Sequence, residues 1–192
     1  MEYAVAAVLG YLLGSIPVAL LVARRHGVDL RAVGDGNPGA WNALEQLGAR
    51  RAWPAFVGDG LKGAAAGAAG FAQAGAAGAY AGVAGAMIGH ALPVFARFRG
   101  GKSVMTFAGG AFALCLPAAA IALAVCAAVS LAARSFAWGA RVGVFGFPAV
   151  QLAFDPPGRV AATGLLMALI GVLFLLRRSG PARSSRDAPR TT

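Results

Sequence analysis

Charge is scarce in this chain of 192 residues: 12% of them are charged, and only 7 are acidic. Soluble domains carry about 25% charged and about 45–50% apolar residues. Here 58% are hydrophobic and the mean hydropathy is +0.68, which excludes a water-soluble fold. Cysteine is equally rare, and Cys115 and Cys126 both lie inside an apolar stretch. That placement points to buried free thiols rather than a disulfide framework or a metal site. The shortage of acids leaves a net charge of +10 and a pI near 11.3. In a soluble protein this balance would suggest nucleic acid as partner. Here the cations cluster at the ends of apolar runs, where they act as topology signals, and no nucleic-acid partner is expected. The first apolar run also lacks the basic start of a signal peptide. It opens on Glu2 and carries Arg24 and Arg25 behind it, so it reads as a retained span.

Seven apolar runs follow one another: 3–23, 52–71, 77–95, 104–116, 118–133, 142–153 and 160–176. Several are shorter than the roughly 20 residues that cross a ~30 Å hydrocarbon core. Read as one helix, 104–133 would be about 45 Å long at ~1.5 Å per residue; a break at Pro117 makes it two short ones. Charge decides for the break. With seven crossings, 15 of the 17 Lys and Arg residues fall on one side, the exceptions being Lys62 and Arg159. The bias of cations toward the cytoplasm then places the N-terminus outside and the C-terminus inside. The expectation is an all-α, polytopic plasma-membrane protein of a bacterium, with about seven transmembrane helices over residues 1–176. A basic, Ser/Arg/Pro-rich cytoplasmic tail, expected to be disordered, covers 177–192. Gly/Ala-rich stretches such as 63–85 suit close helix packing.

Few residues are left to carry chemistry. The first inner loop reads Gly34-Asp35-Gly36-Asn37-Pro38-Gly39-Ala40-Trp41-Asn42. It is either a plain turn or a cradle in which glycine-flanked amides and the side chains of Asn37 and Asn42 meet an anion. A later inner segment runs from His90 through Pro93 to Gly100-Gly101-Lys102-Ser103. A glycine pair and a lysine opening a helix offer N–H groups and an ammonium to a phosphate, while Arg97 and Arg99 mark the membrane boundary. Ala96 and the absence of a preceding strand rule out a nucleotide-binding P-loop. Asp59 and Lys62, three apart in an otherwise apolar helix, can pair on one face or face a polar cavity. His90 is a candidate acid, base or phosphate donor.

Together these elements resemble the bacterial acyl-phosphate:glycerol-3-phosphate acyltransferases, the PlsY family. The likeness covers Leu12 to about Gly110. It rests on Gly14-Ser15-Ile16-Pro17, the Gly-Asn-Pro-Gly-Ala loop ending in Asn42, Asp59-Gly60-Leu61-Lys62-Gly63, and Gly89-His90 through Pro93-Val94-Phe95 to Gly100-Gly101-Lys102-Ser103. The resemblance implies a cytoplasm-facing enzyme that moves a fatty acyl group from acyl phosphate to the 1-hydroxyl of glycerol 3-phosphate, an early step of phospholipid synthesis that uses no cofactor. It implies catalytic roles for His90 and Lys102. It implies substrate binding by Gly36, Asn37, Gly39, Asn42, Gly100, Gly101, Ser103, Asp59 and Lys62, and no metal. Asp35, Trp41 and Glu45 depart from the family's serine, threonine and arginine. Its motif before the sixth helix survives only as Arg134-Ser135, and its C-terminal motif is not recognisable after Arg177. These departures leave an alternative, a non-catalytic lipid-binding or interaction protein on the same scaffold. A solute transporter is disfavoured, because no inverted repeat is visible.

Overall fold

The computed structural model describes residues 1–178, and they are all-helical. The tail proposed from sequence lies, from residue 179 on, outside the described residues. Helix α1 (Glu2–Gly14) and helix α2 (Val18–Arg25) form one membrane-length unit interrupted at 15–17. Pro17 causes the interruption, since it has no N–H to donate and disfavours helical geometry in the residue before it. A loop leads to the short helix α3 (Ala40–Leu47), which Gly48, at φ 74°, turns into α4 (Ala49–Ala91). Helix α4 is in fact a hairpin: Ala74 (φ −146°, ψ 31°) and Gly75 (φ 59°, ψ −149°) reverse the chain. Only glycine takes the second of these conformations without strain. The helix ends before Pro93, and a single 3₁₀ turn (Val94–Ala96) follows; the apolar run expected to reach Phe95 is therefore not helical throughout.

Helix α5 (Val104–Leu114) and helix α6 (Leu116–Ala132) are separated by extended Cys115 (φ −155°, ψ 93°). The break expected at Pro117 thus lies two residues earlier. Pro117 sits in the first turn of α6, where its missing N–H costs nothing. Helix α7 (Phe136–Gln151) begins six residues ahead of its apolar run and takes in Arg141, whose guanidinium lies 5.3 Å from the Trp138 ring centre. The inner loop expected over 134–141 shrinks accordingly. Helix α8 (Pro157–Arg178) completes the bundle.

The first unit, the two arms of α4, and α5 to α8 give seven traverses between two ends. Among them Glu2–Arg25, the α4 stretch and Pro157–Leu175 are apolar and long enough to cross a bilayer by length alone. Helix α5, at 11 residues, spans only about 17 Å. It is enclosed by α4 and α6, with Phe107 and Leu114 buried, so it has little need to match the lipid. One end holds the Gly75 reversal and a buried polar peg. There Gln151 Nε2 donates to Tyr80 Oη (3.0 Å) and to Asp155 (2.9 Å), Thr163 Oγ1 donates to Gln151 Oε1 (2.7 Å), and Tyr80 Oη donates to the Arg159 carbonyl (2.8 Å). The other end gathers the loops 26–39, 92–103 and 133–135, with Trp41 stacked on Phe136 at 5.9 Å. The chain is a multi-pass membrane protein, and among the described side chains the cations other than Lys62 and Arg159 lie toward this second end.

Helix α1 lies almost backbone to backbone on the returning arm of α4. A Cβ at Gly10 or Gly14 would strike the carbonyls of Gly82 or Ala86, and one at Gly85 or Gly89 those of Ala7 or Tyr11. Such contacts replace the hydrophobic effect, which gives helices little reason to associate inside lipid. Gly85→Val should therefore overpack this seam by about 1–3 kcal/mol and lower the thermal midpoint of the detergent-solubilised protein by roughly 2–4 °C per kcal/mol. Gly164→Val, where nothing lies within 4 Å of an added Cβ, is the control and should leave the midpoint near the parent's.

Candidate functional site

Asp59 and Lys62 face the same way on the first arm of α4, three residues apart, and His90 ends the second arm. Lys62 Nζ lies 2.8 Å from Asp59 Oδ1, and His90 Nδ1 lies 3.5 Å from the same oxygen. All three side chains are buried. Lys62 also donates to the carbonyl of Ile16 (3.0 Å), which the break before Pro17 releases from helical bonding. Within the Gly14-Ser15-Ile16-Pro17 motif, the last two residues thus present an acceptor to a buried ammonium, while Gly14 lets α1 lie on Ala86. Neither Asp59 oxygen receives a well-aligned hydrogen bond, so charge holds the carboxylate in place. The three groups line a small cavity with Ile16, Pro17, Pro38, Gly100 and Gly101.

The glycine pair closes this cavity, but not as an amide cradle. Gly101 N donates to the His90 carbonyl (3.0 Å) and Gly100 N to that of Ala91 (3.1 Å), so both amides cap the end of α4. The expectation that they offer free N–H groups to a phosphate is corrected. The two residues are glycine because a Cβ at Gly101 would strike the imidazole, and one at Gly100 the His90 carbonyl and Pro93. Ser103 is likewise committed: its hydroxyl donates to the Met87 carbonyl at 2.6 Å, which pins the start of α5.

The first loop is also wired mainly to itself. Asn42 is fully buried, and its Nδ2 is shared among the carbonyls of Leu30, Val33 and Asn37 at 3.0–3.1 Å. Its amide nitrogen thus braces the loop, while its Oδ1 is buried and has no partner. Gly36 N donates to the Val33 carbonyl, and Asn37 N to Asp35 Oδ1. What the loop does present is the side-chain oxygen of Asn37, buried and without a partner, beside Gly39, which itself lies against Gly101. The glycine and asparagine motifs of two distant segments thus meet.

Lys102 sits at the mouth, about one-third exposed, with Nζ 3.0 Å from Asp35 Oδ2 and 5.5 Å from the Phe174 ring centre. Asp35 therefore faces a lysine rather than an open anion site. Glu45 points elsewhere: it accepts the indole N–H of Trp41 at 2.8 Å, one turn back on α3, and pairs with neither Arg50 nor Arg51. Sequence reasoning missed Arg31. Its Nη2 donates to the carbonyls of Ala96 (2.6 Å) and Arg99 (3.0 Å), tying the two loops together. Burial, and then Arg24, draw its pKa below the ordinary arginine value, with Asp29 opposing. Nothing in the sequence distinguished it from the boundary arginines. Among the described residues no cluster of His, Cys, Asp and Glu is arranged to hold a metal.

The family model described as glycerol-3-phosphate acyltransferase matches residues 4–183. The glycerol-3-phosphate acyltransferase of Rubrobacter xylanophilus is 43% identical over 138 residues, covering 70% of this chain and 68% of the relative. That of a Jannaschia species is 36% identical over 181 residues, covering 94% and 88%. Among solved structures, the crystal structure of PlsY, an integral membrane glycerol 3-phosphate acyltransferase, in its glycerol 3-phosphate form superposes with a TM-score of 0.79 at 27% identity, over 93% of this chain and 90% of that one. Its lysophosphatidic acid form gives 0.77 at 26% identity. The buried Asp59–Lys62–His90 cluster, the loops that close over it and these likenesses together place the chain in the glycerol-3-phosphate acyltransferase family of integral membrane proteins.

Proposed function

We propose that this protein acylates glycerol 3-phosphate with acyl phosphate as donor, at the loop-bearing end of the bundle. The observation that carries the reading is the buried carboxylate–ammonium–imidazole cluster set directly behind a lysine and an unpartnered asparagine oxygen. The acceptor's 1-hydroxyl oxygen attacks the acyl carbonyl carbon, and the bond from that carbon to the phosphate oxygen breaks. Phosphate leaves, and 1-acylglycerol 3-phosphate is formed. Because phosphate is a good leaving group, the protein needs no covalent nucleophile and acts by positioning and charge stabilisation. Asp59 holds the imidazole of His90 by its Nδ1 side, and His90 relays the hydroxyl proton toward the departing phosphate. Lys62 keeps Asp59 charged and fixed. Lys102 contacts substrate phosphate, Asn37 Oδ1 accepts from an acceptor hydroxyl, and Gly39, Gly100 and Gly101 allow close approach. Release of phosphate and lysophosphatidate from palmitoyl phosphate and glycerol 3-phosphate by the purified protein is the direct test. An inert preparation that also fails to rescue a strain lacking this acyltransferase would leave the non-catalytic alternative.

The loop-bearing end faces the cytoplasm, by the bias of cations toward that side. An N-terminal tag should then be reached by impermeant reagents in whole cells and a C-terminal tag should not; both on one side would refute it.

His90→Gln leaves the Asp59–Lys62 pair in place and should lower kcat by about 100-fold or more with little change in KM. An unchanged kcat would remove His90 from the reaction.

Lys102 and Asp35 should respond in opposite directions. Lys102→Ala deletes a charged contact worth about 1.5–3 kcal/mol and should raise the KM for a phosphate substrate at least tenfold. Asp35→Ser frees the ammonium from a half-exposed pair worth about 0.2–1 kcal/mol and should lower KM a few-fold. Glu45→Arg, whose parent carboxylate is bound to Trp41, should do little alone. A rise in KM for Asp35→Ser would mean that Asp35 positions Lys102 for substrate rather than competing with it.

A further inference from the structure

A second, larger cleft of about 530 Å³ opens at the same end of the bundle, between α2, α3 and the start of α4, and shares no lining residue with the Asp59 cavity. Arg25 and His26 line it from one side and Arg50 and Arg51 from the other, over Leu47 and Pro54. No carboxylate lines it, and among the described residues none of the three arginines forms an ion pair. So many exposed cations around one concavity, uncompensated by the protein, call for an anion with several oxygens.

The surroundings say where that anion comes from. On α4 the exposed positions Arg50, Trp53, Val57 and Leu61 follow at helical spacing, so the stripe that begins in the cleft turns apolar within one turn. On α2, exposed Leu21 lies one turn deeper than Arg25. Each wall is basic at the loop level and apolar toward the bilayer centre, with Trp53 at the level where indoles favour the membrane interface. A free phosphate would use only the upper half of this arrangement, whereas a phospholipid fits both. We propose that the cleft is a binding site for an anionic phospholipid, its headgroup phosphate held by Arg25, Arg50 and Arg51 and its acyl chains lying along Trp53, Val57 and Leu61.

Trp41→Phe and Trp138→Phe leave Trp53 as the sole tryptophan, and this protein is reconstituted in phosphatidylcholine nanodiscs. Its fluorescence is titrated with chain-brominated phosphatidylglycerol or chain-brominated phosphatidylcholine. The anionic lipid should quench Trp53 at a clearly lower mole fraction. Arg50→Gln/Arg51→Gln, and separately Arg25→Gln, should erode that preference by about fivefold per charge removed. Arg97→Gln/Arg99→Gln, at the same end but outside the cleft, should preserve it. Equal quenching by the two lipids in the parent overturns the proposal without any cleft variant having to fold. Retention of the preference in both cleft variants, or its equal loss in the Arg97/Arg99 variant, overturns it as well. Millimolar glycerol 3-phosphate should not relieve the quenching; relief would mark the cleft as a site for a soluble phosphate instead.

Discussion

A carboxylate inside a bilayer has to be neutralised where it stands, and the loop-bearing half of this bundle is organised around meeting that demand for Asp59. An ionisable group at mid-helix costs about 2.5–3.5 kcal/mol even on insertion scales. Lys62 supplies the counter-charge, but it is itself a buried ion that needs an acceptor. The break before Pro17 provides one in the Ile16 carbonyl. His90 approaches from the opposite arm of α4, which requires the chain to reverse at Gly75. The glycine pair at 100–101 then folds over the imidazole. One buried charge thus ties together a helix break, a helix hairpin and a loop.

Packing follows a different rule from that of soluble proteins. Inside lipid, apolar surface gains little by leaving one hydrocarbon for another, so the helices meet where side chains vanish. The seam between α1 and α4 consists of glycine facing backbone carbonyl. On α6 and α7 the same device recurs, with Gly139 and Gly143 set against Cys126 and Ser130. Larger residues reappear where α7 meets α5, in the edge-to-face pair of Phe107 and Phe147 at 6.0 Å, and where Phe136 packs on Trp41 and Phe56. The polar peg of Tyr80, Gln151 and Thr163 adds hydrogen bonds to the hold that buried Leu166 and Ile170 give α8.

The seven traverses and the clustering of cations at one end were legible because hydropathy and charge are summed over long windows and survive local error. Helix ends were less so. The start of α7 at Phe136 was hidden because Arg141 looked like a boundary, although its guanidinium lies against Trp138. Within the site, the pairing of Asp59 with Lys62 followed from their spacing, whereas the joining of His90 to them required the hairpin. Asn42 and Ser103 were assigned to substrate because residue type and family motif cannot separate a side chain that binds a ligand from one that braces the loop around it. Their hydrogen bonds to Leu30, Val33, Asn37 and Met87 show the bracing part, which no motif displays. The weight given to Asp35 and Glu45 as departures from the family pattern had a similar origin, since a sequence gives the sign of a charge and not its nearest neighbour.

Among the described residues, those that line the Asp59 cavity all fall between positions 14 and 101. Helices α6 to α8 add bulk and most of the peg, and Phe174 of α8 lies against Lys102. During synthesis, then, the lining of the Asp59 cavity emerges from the ribosome before the last three traverses exist. Its helix seam and its buried ion pair are both complete within the part already inserted. Errors in the later helices would come after the residues of that seam and ion pair, which precede them in sequence order, are already in the membrane.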